Sequence, residues 1–156
     1  MQNSSNHTRQ ILAHLPLFQA LSDTQIDSVA AGAKERRLDR GTPLFRRGDA
    51  AQGFYVVVFG RIKLALPSAT GNEKVVEIIG PRQSFGEAVM FLDRAYPVNA
   101  EALEDSLLLH VSSETVTSLL SDDPSFARRM LAGLSLRLHS LIQDVESYSL
   151  RSSTQR

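Results

Sequence analysis

The stretch Phe54-Tyr55-Val56-Val57-Val58-Phe59-Gly60-Arg61-Ile62-Lys63-Leu64-Ala65-Leu66 decides the fold. Six apolar residues run unbroken to a glycine. After it, Ile62, Leu64 and Leu66 alternate with Arg61, Lys63 and Ala65, the pattern of a half-buried strand. Thr70-Gly71-Asn72 is a turn, and Lys74-Val75-Val76-Glu77-Ile78-Ile79 beyond it is the returning strand of a hairpin. Outward from this pair, glycines punctuate the chain at Gly41, Gly48, Gly53, Gly80 and Gly86, with short apolar runs between them. Regular short strands divided by glycine turns predict a small barrel or sandwich over residues 35–111.

The flanks are helical. Residues 1–34 form an N-terminal helical segment in which Gln10 to Ala13 make a short helix before Pro16 breaks it. Ser22 is a good N-cap for a second helix, whose Ile26, Val29, Ala30 and Ala33 share a face. Residues 112–150 hold a short helix capped by Ser112 or Ser113, then a long one announced by Asp122, Asp123 and Pro124. Ala127, Leu131, Leu134, Leu138, Leu141, Val145 and Tyr148 recur at steps of four and three, the seam of a coiled coil. Leu131, Leu134, Leu138, Leu141, Val145 and Tyr148 are therefore the expected interface of a homodimer. Met130, Leu136, Ile142 and Leu150 add apolar surface outside that seam, so the same helix is expected to cover the barrel as well. The polar residues 151–156 read as the start of a linker to a domain absent from this chain.

Composition narrows the function. In 156 residues, 17 basic side chains balance 17 acidic ones, whereas a domain that grips phosphates carries a basic excess. No cysteine is present, so disulfides, thiol catalysis and thiolate metal sites are excluded. No run approaches a membrane span, and the polar first ten residues are no signal peptide. The expectation is a soluble, cytoplasmic protein with no membrane partner. From Leu15 to Leu109 there is no histidine, so the metal site of a cupin-type enzyme cannot be built. No nucleophile elbow, Walker loop or dinucleotide fingerprint occurs, and Glu77 with Glu87 is the nearest approach to an acid–base pair. The chain is expected to be no enzyme, with no catalytic residue.

Three stretches in this order resemble the effector-binding half of Crp/Fnr-family bacterial transcription regulators. They are Arg40-Gly41-Thr42-Pro43-Leu44-Phe45-Arg46-Arg47-Gly48-Asp49, then Phe54 through Lys63, then Ser84-Phe85-Gly86-Glu87-Ala88. The resemblance covers the chain from Leu15 through the long final helix. It implies a mainly β protein with flanking α: a cyclic-nucleotide-binding-like β-roll, a double-stranded jelly-roll barrel, with N-terminal helices and a long C-terminal dimerisation helix. It also implies DNA contact only through a helix-turn-helix domain that these residues do not supply, and a small-molecule effector that acts by shifting the two long helices.

Ser84–Ala88 resembles the opening of the family's phosphate-binding cassette. There the Glu accepts from a ribose hydroxyl and an Arg eleven positions after the Gly pairs with the phosphate. Here that position is Pro97, followed by Val98, and Arg94 lies three residues early. Losing one charge-assisted contact costs roughly 1.5–3 kcal/mol. An ungapped match from Pro124 also sets Leu141 and Ile142 where cyclic-AMP binders offer a Thr-Ser pair to the adenine. The cassette therefore reads as poor for cyclic AMP.

Within the family, Phe85 to Asp93 and Ser135-Leu136-Arg137-Leu138-His139 resemble the Dnr-like regulators of denitrification, which implies nitric oxide sensing through haem b. The expected effector pocket is Phe85, Gly86, Glu87, Ala88, Val89, Leu138, Leu141 and Ile142. Haem iron takes an axial His, Met, Cys or Tyr. Of His7, His14, His110 and His139, the candidate ligands are His14 and His139, while His110 reads as a partly buried strand residue and Met90 and Met130 as core. A cyclic nucleotide in an altered cassette, or another small ligand, is the alternative.

Overall fold

A computed structural model describes residues 2–154, with side chains described over 6–147. The chain runs α1 (Gln2–Ala13), a 3-10 turn (Pro16–Phe18), α2 (Asp23–Ala31), β1 (Ala33–Leu38), β2 (Pro43–Phe45), β3 (Gly53–Phe59), β4 (Ile62–Pro67) and β5 (Glu73–Ile79). It continues with β6 (Ser84–Phe85), α3 (Glu87–Phe91), β7 (Asn99–Ala102), β8 (Ser106–Ser112), α4 (Ser113–Asp122) and α5 (Pro124–Thr154). Two antiparallel four-stranded sheets, ordered β1-β8-β3-β6 and β2-β7-β4-β5, face each other as a roll. The expected hairpin is β4–β5, with Ile62 opposite Ile79 and Pro67 opposite Glu73.

The unbroken apolar run of β3 is explained by burial on both faces. Tyr55 and Val57 point into the roll, among Phe45, Ile62, Phe85, Tyr96 and Leu108. Phe54 and Val56 point the other way, into a second core with Leu109 and Val111 of β8 and with the helices. Leu12, Phe18, Ile26, Val29, Val116 and Phe126 complete that second core, which fastens the helical shell to one sheet. Each fully buried apolar side chain is worth about 1.5–3 kcal/mol of transfer free energy.

Ser22 caps α2 as expected: its hydroxyl accepts from the Gln25 N–H while the Gln25 side chain accepts from the Ser22 N–H, a reciprocal capping box. The Gln25 amide then donates to Asp123 Oδ2 at 2.9 Å and to Ser125 Oγ at 2.8 Å, tying α2 to the start of α5. These bonds hold the Asp123 carboxyl below the usual carboxylate range, with Gln25 the leading cause and Ser125 the next. Ser112 caps α4 through the Thr115 N–H.

Boundaries differ from the sequence reading in three places. The second helix ends at Ala31, and Ala33, expected on its apolar face, opens β1 two residues before the expected start of the roll. The first helix spans Gln2–Ala13 rather than only Gln10–Ala13. Its polar start masks it, but Ile11 and Leu12 bury the last turn and Arg9 pairs with Asp23 and Asp27 at and in α2. At the other end α5 runs to Thr154, so residues 151–154 continue the helix instead of opening a linker. Nothing between Leu150 and Thr154 breaks a helix. Residues 155 and 156 of the expected linker lie outside the described residues.

The long helix has two regimes. Phe126 and Met130 are buried against the body, and Gly133 packs on the 3-10 turn so closely that a Cβ there would stand 2.6 Å from the Leu17 carbonyl oxygen. Beyond it the apolar side chains are uncovered, from Leu141 at 42% exposed to Val145 at 66%, with Leu134 and Leu138 between them. The Tyr148 side chain of the expected seam lies outside the described residues. No helix among the described residues is long and apolar enough to cross a membrane.

Candidate functional site

The β6–α3 corner builds the site. Gly86 adopts φ 93°, a left-handed conformation that a side chain disfavours, and this turn starts α3 so that Glu87 is its first residue. Glu87 thereby reaches a cleft of about 600 Å³ where the roll, α3, the 3-10 turn and α5 meet. The cleft is walled by Glu77 and Ile79 of β5, Arg82, Gln83 and Ser84 before the corner, Glu87, Ala88 and Phe91 of α3, Pro16 and Leu17, and Leu134 and Arg137 of α5. Its size is that of a small-molecule site.

Glu87 is the anomaly in this wall. Its Oε1 is fully buried and has no hydrogen-bond partner. Burial pushes the carboxyl above the usual carboxylate range; hydrogen bonds from Ser84 and from its own backbone N–H pull it back, and the nearby Glu77 adds to the rise. An unsatisfied buried oxygen costs about 1–3 kcal/mol, and the residue that carries it lines a cavity. Arg82, at φ 67°, and Arg137 bring positive charge to the same cleft.

The structure assembles only part of the expected pocket. Glu87 and Ala88 line the cleft, beside the Gly86 turn. Phe85 is instead buried inside the roll, stacked on Tyr55 with ring centroids 5.5 Å apart, and Val89 packs on that same core. Leu138, Leu141 and Ile142 are not among the cleft residues and are exposed, because the chain's own body stops covering α5 near Gly133. The α5 residues that do reach the cleft are Leu134 and Arg137, one helical turn nearer the body. Pro97 is exposed, Val98 packs on the roll core, and Arg94 is exposed outside the cleft. The cleft is thus more polar than the Pro97, Leu141 and Ile142 positions imply.

The haem ligands are not brought together either. His14 is exposed, with Nδ1 2.6 Å from the Gln10 carbonyl oxygen, and His139 is exposed on α5; neither lines the cleft. No His, Met or Tyr is among its wall residues. The cleft therefore offers haem an apolar side and two arginines but no axial ligand from this chain, and the residues present do not fit the group. Among the described residues no three His, Asp or Glu side chains cluster to hold another metal.

The sequence reading left Arg82 and Arg137 out of the pocket and named Glu77 only as a partner for Glu87 in an acid–base pair. Glu77 breaks the apolar run Val75-Val76-Glu77-Ile78-Ile79, a signal that was legible. Arg82 depends on a backbone turn that no pattern announces.

An enclosed roll, a glycine-started cassette helix and a long helix closing the cleft define a ligand-sensing β-roll. Residues 35–123 match the family described as the cyclic nucleotide-binding domain, and the chain belongs to that family. Its matches place it with the N-terminal domain of Crp/Fnr-family regulators. The sensor domain of the transcriptional regulator DNR from Pseudomonas aeruginosa is 33% identical with a TM-score of 0.74, over 90% of this chain and 94% of that one. A putative cyclic nucleotide binding protein from Ruegeria pomeroyi is 33% identical with a TM-score of 0.84, over 94% of this chain and 64% of that one. The cyclic AMP receptor protein of Thermus thermophilus is 28% identical over 90% of this chain. The chain spans 65% of that regulator's length.

Proposed function

We propose that the chain is the effector-sensing and dimerising module of a Crp/Fnr-type transcription regulator, acting in the cytoplasm, with its effector in the Glu87 cleft. The observation that carries this is the orphaned, buried Oε1 of Glu87 at the joint between cassette and α5. The effector is a small organic anion with a hydroxyl or N–H donor, a cyclic nucleotide being the type the family supports. Glu87 accepts its donor. Arg82 and Arg137 meet its charge in place of the arginine missing at Pro97.

The regulatory step is a population shift. An effector that touches both Glu87 on α3 and Arg137 on α5 favours one setting of the long helix against the roll. The bare stripe Leu131, Leu134, Leu138, Leu141 and Val145 pairs with a second copy, so a change in α5 setting is passed across the dimer. DNA contact belongs to the part of such regulators beyond the matched span; a formal charge of zero suits sensing rather than DNA binding.

A second reading is a haem-based nitric oxide sensor controlling denitrification-type genes, supported by the likeness to the DNR sensor domain. The missing axial ligand counts against it within one chain. Haemin titration followed at the Soret band, beside a thermal-shift titration with cyclic AMP and cyclic GMP, separates the two. The anion reading expects a saturable rise in melting temperature with a cyclic nucleotide and only unsaturable haemin partitioning. A one-per-chain haemin endpoint lost in His14→Ala or His139→Ala would overturn it in favour of haem.

A further inference from the structure

The roll has a second opening, a cavity of about 370 Å³ that shares no wall residue with the Glu87 cleft. Strand register builds it. Lys34 on β1 lies opposite His110 on β8, His110 opposite Tyr55 on β3, and Tyr55 opposite Phe85 on β6. Side chains in register share a face, so these four form one row across the sheet, on the side that faces the roll interior. Phe85 is sealed in the core, while Lys34 stands at the exposed strand edge. Arg36, two residues along β1 from Lys34, falls on the same face and lines the same cavity as Tyr55.

The floor is flat and aromatic. Phe45 and Tyr96 stack with centroids 3.5 Å apart and planes within 5°, and Tyr55 and His110 lie 4.8 Å apart beside them. The rim is cationic and unspent: among the described residues neither Lys34 nor Arg36 is in a salt bridge. Two carboxylates also reach the cavity. Asp49 is committed to its own turn, its Oδ2 accepting from the Arg46 N–H at 2.9 Å. Glu35 sits one residue out of step with Lys34 and Arg36, opposite Leu109, whose side chain belongs to the other core. Burial, then Arg36, then Lys34 hold His110 below its ordinary imidazole range, so its ring adds a neutral donor and acceptor.

We propose that this mouth of the roll is a second binding site, for a small aromatic carboxylate: the acid group on Arg36 and Lys34, the ring against the Phe45, Tyr55 and Tyr96 side chains. The Arg36 guanidinium, in no salt bridge among the described residues, offers the planar fork that matches a carboxylate. The volume lies at the small end of ligand sites, room for one ring and its acid group. The site stands apart from the proposed effector cleft, and its test does not depend on that reading.

The test is a heteronuclear NMR titration of the whole chain with benzoate, and with benzamide as the neutral isostere. The proposal expects saturable shifts at the Ala50, Gln52 and Gly53 amides with benzoate, and binding at least tenfold weaker with benzamide. Arg36→Gln, an exposed position, should weaken benzoate roughly ten- to hundredfold, the loss of one charge-assisted contact. Absence of saturation, equal binding of benzamide, an unchanged Arg36→Gln affinity, or shifts confined to Ala88 and Phe91 would each overturn it.

Discussion

Glu87 concentrates the chemistry of the site in one carboxyl. Its folded-state affinity for a proton is raised, so relative to the unfolded chain its contribution to stability is present at low pH and lost as pH rises through the raised value. Glu87→Gln removes a charge that burial opposes. It should stabilise the effector-free chain at pH 7 to 8, where the wild-type carboxyl must carry its charge against burial. The gain should shrink as pH falls toward the ordinary value of 4.5, where the carboxyl is neutral in both states. Thermal unfolding of the two proteins across pH measures this. His110 carries the opposite sign: its lowered folded value favours the folded state above the ordinary imidazole value of 6.5, and that contribution is lost as pH falls through it. Glu87 and Gly86 were legible in the sequence through the resemblance of Ser84–Ala88 to the opening of the family's phosphate-binding cassette. Arg82 and Arg137 were not, since their charge reaches the cleft only through a turn and a helix crossing that are set by tertiary packing.

At the scale of elements, Gly133 is where α5 seats on the 3-10 turn. With carbonyl oxygens of Leu17 and Pro16 at 2.6 and 2.9 Å from where a Cβ would stand, even alanine forces the helix off the 3-10 turn. Gly133→Val should cost about 1–3 kcal/mol in stability, as overpacking does, and denaturant unfolding reads it directly. The same displacement moves Leu134 and Arg137, so effector affinity should fall as well. Periodicity gave the existence of α5 and its apolar seam, because a step of four and three is a property of the sequence alone. How far along the helix the body stops covering it was hidden, because that depends on Gly133 seating against a turn 115 to 117 positions earlier. The strands were legible for a related reason: glycine turns and two-residue alternation are local, and the runs of β3 and β8 that are buried on both faces depart from alternation. The polar helix α1 was hidden, since its apolar anchors occupy only the last turn.

For the whole molecule, the stripe from Leu131 to Val145 is uncovered in a lone chain, and the proposed pairing of two α5 helices would bury it. Sedimentation should return twice the chain mass of 17.2 kDa, and Leu138→Glu should return the single mass with the β-roll still folded. Leu138 is already exposed in one chain, so its replacement is expected to change monomer stability by no more than about 0.5 kcal/mol. A Leu138→Glu protein that stays at twice the mass would remove the seam from the account. Of the two cores, one holds the helical shell to a sheet and the other fills the roll, and the Glu87 cleft is bounded by elements of both.

The account turns on one cleft, and calorimetric titration of cyclic AMP and cyclic GMP into the wild-type chain, Glu87→Gln and Arg137→Gln tests it most directly. The prediction is saturable binding of at least one nucleotide to the wild type, weakened roughly tenfold or more by each substitution. No saturable heat with the wild type, or affinities that neither substitution changes, would contradict it.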